Sequence, residues 1–244
     1  MELLTNPKWI EFLSNVNAAT KELDNPKIVW FRGQGNAKYP LLPSLLRYNN
    51  GLNKEEEMFH TFRRYAEKIF HSNESEWETL FNMQHYHVAT RLLDWSETFG
   101  VALYFAVNNS NLIEDSAIYL LDPIKLNSKS GKDKIYKLPY DEDDFRYTDI
   151  YWKNKPFKAS APIAVEPIFQ NDRINAQRGT FTVHHNSKEP IEKQFPDVVK
   201  KIILDKEAVP SANEFLKLAN INEFSVYPDI GGIAEFIKNS IGLE

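Results

Sequence analysis

Apolar residues at Trp9, Ile10, Phe12, Leu13 and Val16 follow the helical period, and Asn6 ahead of Pro7 supplies a capping side chain and a first-turn proline. A helix is therefore expected over 6–23, ended by Asp24-Asn25-Pro26. Residues 27–31 then read as a strand. Asn53 with Glu56 opens a second helix, whose Met58, Phe59, Phe62, Ala66, Ile69 and Phe70 form one apolar face. Ser75 with Glu78 repeats the capping pattern ahead of Trp77, Leu80 and Phe81, and Ser211 with Glu214 does so again. Residues 99–107 are apolar almost all round, which predicts a central, buried helix. Residues 117–121, 163–168, 179–184 and 198–204 are rich in β-branched or aromatic side chains and predict strands. A last helix is expected over 233–241, after Tyr227-Pro228-Asp229-Ile230-Gly231-Gly232.

Helices and strands are mixed without strict alternation, so the expected class is α+β: a mixed or antiparallel sheet with packed helices. One domain over 1–244 is expected, with the N-terminal helix over 6–23 and a motif-bearing core over 27–108. Polar loops over about 122–160 and C-terminal strands and helices over 163–241 complete it. Residues 127–140 and 141–158 carry no clean period and predict long surface excursions, one of them a lid.

Composition narrows the classes. With 244 residues and 42% hydrophobic content the chain can bury a sizeable core, and no cysteine is present for a disulfide scaffold, a thiolate nucleophile or a thiolate zinc site. That fits a reducing compartment, and the cytoplasm is expected. The first residues lack a leader pattern and no apolar run reaches about 18 residues, so no membrane association is expected. A formal charge of -5 argues against broad nonspecific binding to nucleic acid.

Two segments place charge beside apolar surface, where it must be paired or bind something. In Trp30-Phe31-Arg32-Gly33-Gln34 the Arg32 fork is expected to emerge at a strand end, with Gly33 letting backbone approach a ligand. Gln34 and Arg47 add polar reach, and Arg32 with Arg47 would form an anion clamp; an ion pair fixing the strand end is the alternative. The second segment runs from Met83 to Trp95. His85 sits among Met83, Tyr86 and Val88 and reads as a general base or ligand donor. In Thr90-Arg91-Leu92-Leu93-Asp94-Trp95 either Arg91 and Asp94 pair to lock a turn, or Thr90 and Asp94 bond a ligand while Trp95 or Tyr86 stacks on its ring. A third cluster, residues 171–181, holds Arg173 and Gln177 four apart. His85, His87, His184 and His185 lack a carboxylate at metal-ligand spacing, so no metal is expected. Walker, Gly-x-Gly-x-x-Gly, Gly-x-Ser-x-Gly and kinase motifs are missing. Tyr147, Tyr151, Trp152, Lys153, Lys155 and Phe157 interleave rings with charge as a surface for unpaired bases would. Asp141, Glu142, Asp143 and Asp144 read as a solvated acidic loop rather than a nuclease metal cradle.

Phe31-Arg32-Gly33, Gln84-His85-Tyr86, Thr90-Arg91-Leu92-Leu93-Asp94-Trp95 and Ala102-Leu103-Tyr104-Phe105-Ala106, in that order, resemble the FRG domain family of bacterial and phage-associated proteins. His87 stands where that family usually has Gly, so a less tightly turned loop is expected there. The family's motif layout is similar to that of ADP-ribosyltransferases, which implies an ADP-ribosyltransferase-like fold. It implies use of NAD as co-substrate, in a toxin or phage-defence setting, with nucleic acid or protein as acceptor and an antitoxin as a further partner. By that resemblance Arg32, Thr90, Gln177 and His85 would carry catalysis. Arg32, Gly33, Gln34, Arg47, Tyr86, Arg91, Asp94, Trp95 and Arg173 would bind NAD. Gly179 stands where such transferases carry a Glu, so Asp94, Glu166 or a loop residue would supply the carboxylate. The alternative is a noncatalytic module that recognises RNA, a nucleotide or a protein.

Overall fold

In the computed structural model, which describes residues 2–69, 74–108, 113–155, 160–168 and 171–242, a seven-stranded mixed sheet runs through the whole molecule. Its strands are β1 (Trp30–Gln34), β2 (Leu92–Ser96), β3 (Ser116–Leu121), β4 (Tyr136–Leu138), β5 (Ile163–Pro167), β6 (Gly179–Val183) and β7 (Val199–Leu204). They lie in the order β4-β5-β6-β2-β1-β3-β7, and every neighbouring pair is antiparallel except β4 with β5. The helices, in chain order, are α1 (Pro7–Glu22), α2 (Ser44–Arg47), α3 (Gly51–Ala66), α4 (Glu76–His85), α5 (Phe99–Asn108) and α6 (Pro123–Ser128). They continue as α7 (Tyr147–Tyr151), α8 (Asp172–Ala176), α9 (Ile191–Gln194), α10 (Val209–Leu218), α11 (Glu223–Val226) and α12 (Ile230–Ile241). The result is a single mixed domain of helices packed on one sheet, as the pattern predicts at that level.

The sheet is divided at its centre. β1 pairs with β3 over five residues and β2 with β6 over five, but β1 and β2 share the single register pair Phe31 and Ser96. Beyond that pair the two strands splay. α5, α1 and α10 cover the β1-β3-β7 half through Ala102, Phe12, Leu103 and Leu216, whereas α4 and α7 cover the β4-β5-β6 half through Trp77, Phe81 and Tyr147. The other face is closed by Leu41, Ile191 and Val198 against Trp30, Trp95 and Tyr119.

Local chemistry explains where the elements begin. Asn6 caps α1 by accepting from the Lys8 amide, and Ser75 with Glu78 makes a reciprocal capping box on α4. α5 has the all-round burial that its apolar run requires. β1 begins three residues later than the apolar run at 27–31 suggests, so Arg32, Gly33 and Gln34 lie inside a strand rather than after one. Gly33 is required there by the helix: a Cβ would stand 1.7 Å from the Ala102 carbonyl oxygen, so α5 rests on bare backbone.

Four further expectations are corrected. α3 starts at Gly51, which packs under the Leu45 carbonyl, and not at an Asn53 cap; its buried residues are Gly51, Glu55, Phe59 and Ala66, Ile69 is exposed, and Phe70 lies outside the described residues. Ser211 does not cap a helix but is buried in α10, with its hydroxyl donating to the Leu3 carbonyl. The described residues of 127–140 and 141–158 form no lid: Tyr136, Leu138, Phe145, Tyr147, Ile150 and Tyr151 are buried core. The last helix begins at Ile230, where Asp229 accepts from the Gly232 amide. Among the described residues no helix is long and apolar enough to cross a membrane.

Candidate functional site

The splay between β1 and β2 opens a cavity of about 220 Å³ on the helix-covered face, bounded by α4, α5 and α8. Strand alternation brings Phe31, Asp94, Ser96 and Phe181 to this face, because Phe31 pairs with Ser96 and Asp94 with Phe181. Arg32 crosses the gap. Its Nη1 donates to the Asp94 main-chain oxygen at 2.5 Å and stands 3.5 Å from Asp94 Oδ2, replacing ladder bonds that the splay removes. Its Nε has no hydrogen-bond partner, which leaves a buried charged donor beside the cavity. Burial, opposed by Asp94 and reinforced by the Arg47 charge, holds Arg32 below its ordinary pKa.

Asp94 is itself held. Gln84 Nε2 donates to its two carboxylate oxygens at 3.0 and 3.1 Å, while Gln84 Oε1 accepts from the Thr90 hydroxyl at 2.5 Å. Thr90 Oγ1 also accepts from the Leu92 amide, and the Thr90 amide donates to Ser44 Oγ. The Thr90 hydroxyl thus fixes which end of the Gln84 amide faces Asp94, and it does not line the cavity. Among the described residues Asp94 is the one acidic side chain that does.

Opposite stand His85, Arg173 and Gln177. Burial, then the positive Arg173 and the nearby His87, push the His85 pKa down, so its imidazole is neutral at pH 7 and able to take a proton. The Arg173 guanidinium lies 4.7 Å from the centre of the Tyr227 ring, and Gln177 Nε2 donates to the Val226 carbonyl. The segment ahead of α12 therefore packs against two residues that line the cavity. His87 lines the cavity in the left-handed conformation, φ 62°, so the turn is as tight as a glycine would make it and the expected loosening is absent.

Of the residues singled out in the sequence, Arg32, Gly33, His85, Asp94, Arg173 and Gln177 come together here; Trp95 borders the cavity from β2, but its ring packs on the other face of the sheet and is not placed to stack on a ligand. Five do not. Gln34 lies at the end of β1 away from the cavity, Arg47 is exposed outside it, and Tyr86 is exposed with its ring against the His85 ring at 4.8 Å. Thr90 acts through Gln84. Arg91 pairs neither with Asp94 nor with a ligand. Its Nε and Nη2 make a two-pronged bond to Glu55 at 2.7 and 2.6 Å, its Nη1 donates to Asn186, and its charge lies over the Tyr151 ring. Burial opposes the Arg91 charge, but Glu55 and its hydrogen bonds hold the pKa above the ordinary value. Tyr147 also donates to Glu55, so the network is a buried tie between α3, β2 and α7.

Trp95 is fixed from behind. Its Nε1 donates to Thr182 Oγ1, which shares a 3.0 Å hydrogen bond with His184 Nε2. Burial, then the charges of His185, Arg32 and Arg91, lower the His184 pKa to about 3. Glu166 is outside the cavity, and burial with the Glu97 charge raises its pKa. Phe81, Phe105 and Phe181 form the ring walls. Their apolar pattern marks them as core, and nothing in it separates cavity wall from filled interior. Tyr147 and Tyr151 are buried, so the ring-and-charge surface expected for bases does not form there; Phe157 and His71 lie outside the described residues. Asp141 accepts from the Lys137 amide and Lys134, and Glu142 from the Glu76 amide. Among the described residues no three His, Asp or Glu side chains gather as metal ligands.

The family model of the FRG domain matches residues 27–114, and that stretch of the chain is similar to it. The match contains Arg32, Gln84, His85 and Asp94 but stops short of Arg173 and Gln177. No curated protein and no solved structure matches the chain.

Proposed function

We propose that the cavity at the splayed centre of the sheet binds the nicotinamide-ribose end of NAD, and that the protein is an ADP-ribosyltransferase-like enzyme or an NAD-binding domain. The observation that carries this reading is the pairing of Arg32, with an unspent donor, and Asp94 across one ring-walled opening. Arg32 and Arg173 suit a phosphate, Phe81, Phe105 and Phe181 a planar ring, and Asp94 either a ribose hydroxyl or developing positive charge. About 220 Å³ is below the roughly 300–1,000 Å³ of sites that enclose a whole drug-sized ligand. One end of a dinucleotide would enter while the other lies across the mouth.

In such a transfer the bond between the ribose C1′ and nicotinamide breaks and nicotinamide leaves with the electron pair. The positive charge left on the sugar faces Asp94, and the acceptor, a nucleic acid or a protein, bonds to C1′ as neutral His85 takes its proton. Thr90 keeps its place in the reaction only as the group that orients Gln84. The test is nicotinamide release from NAD by purified protein supplied with RNA, DNA or protein, with added mass read on the acceptor. Release is expected to fall by about 10²–10³ in Asp94→Asn, with folding unchanged. Equal release by Asp94→Asn would refute the assignment of the carboxylate.

A further inference from the structure

α12 leaves almost its whole circumference in solvent. Gly232 is its one buried residue, seated against Tyr227 so closely that a Cβ would stand 1.8 Å from the Tyr227 oxygen. Beyond that anchor the helix rests mainly on α11. Ile230, Ile233, Ile237 and Ile241 fall at spacings of three, four and four, the seam of paired helices. Their exposures are 86%, 40%, 45% and 67%, and Phe236 beside them is 38% exposed. Successive residues turn by about 100°, which sets Ile230, Ile237 and Ile241 about 140–180° from Gly232 and Ile233 about 100° from it, so the stripe points away from the body of the domain while Phe236 sits nearer the anchored side.

We infer that α12 is a self-association surface on which a second copy of this chain docks through the same stripe. The stripe is large enough for a second copy to cover it. The stripe offers on the order of 500 Å² of apolar surface, which is as large as the largest patch on a typical monomer. Two copies facing each other would cover about 1,000 Å², the lower limit of a specific interface, and a closed two-fold pair satisfies both stripes at once. An interface at that lower limit is a weak one, so the dimer is expected to form and dissociate reversibly. The surface uses none of the cavity residues and meets them only where Tyr227 packs on Arg173.

Sedimentation equilibrium tests this directly. Wild-type protein is expected to pass from monomer to dimer around 10–100 µM, and Ile237→Glu to shift that midpoint at least about tenfold without changing the circular dichroism. Because the chain has no cysteine, Ile237→Cys supplies a second readout: oxidation should yield a covalent dimer, whereas Tyr65→Cys, exposed on α3 and outside the stripe, should not. A protein monomeric throughout, association untouched by Ile237→Glu, or growth beyond dimers would overturn the inference.

Discussion

Arg32 closes a gap in the sheet while its buried Nε stays without a hydrogen-bond partner. The fork geometry serves the gap and the proposed ligand alike, so Arg32→Lys should keep the fold, lose about 1 kcal/mol of stability, and weaken anion binding about tenfold, as thermal melts and titration would report. Thr90 acts at one remove. In Thr90→Val the Gln84 amide loses the partner that fixes its orientation, and ligand affinity should drop although no cavity atom is removed. Thr90→Ser should restore the affinity; failure of that rescue would mean that the methyl, not the hydroxyl, matters. His184 predicts a pH effect. Its folded pKa of about 3 is below the ordinary value near 6.5, so between those limits the unfolded chain binds more protons and stability falls as pH falls. The slope from this group approaches about 1.4 kcal/mol per pH unit, and His184→Gln should flatten the melting profile between pH 6 and 4 by about that amount per unit.

At the scale of elements, the buried Arg91–Glu55 pair ties α3 to β2. Removing one partner strands the other's charge, so Arg91→Ala should cost about 3–5 kcal/mol, while Arg91→Met with Glu55→Leu should cost clearly less. Equal losses in the single and double variants, read by urea denaturation, would contradict the pairing. Gly33→Ala would drive a methyl into the α5 backbone and should cost at least about 1–3 kcal/mol. Elements with local signals are legible in the sequence: α1 from Asn6-Pro7, α4 from its capping box, α5 from its apolar run, and β3, β5, β6 and β7 from β-branched content. β2 is not, because Asp94, which lines the cavity, interrupts the apolar run of Leu92-Leu93 and Trp95. β4 and α7 hide among charges because their buried rings alternate with residues paired at the surface, such as Lys137 with Asp141. The same logic misplaces Arg91: sequence proximity favours Asp94 as its partner, but the partner that burial demands comes from α3, 36 residues away.

For the whole molecule, the polar segments set apart by their sequence do converge, since Arg32, His85, Asp94, Arg173 and Gln177 meet where the sheet divides. The volume and ring walls of that meeting place depend on how far β1 and β2 splay, a property of the full seven-strand arrangement that no single segment encodes. A cavity enclosed by rings and two arginines should bind its ligand with mild salt dependence, whereas an open nucleic-acid surface would lose affinity steeply with added salt. The measurement that bears most directly on the account is a calorimetric titration of NAD into wild-type protein and into Arg32→Ala. Saturable one-to-one binding that Arg32→Ala abolishes while the fold persists is the predicted result. Absence of NAD binding by the wild type, or equal binding by both proteins, would contradict it.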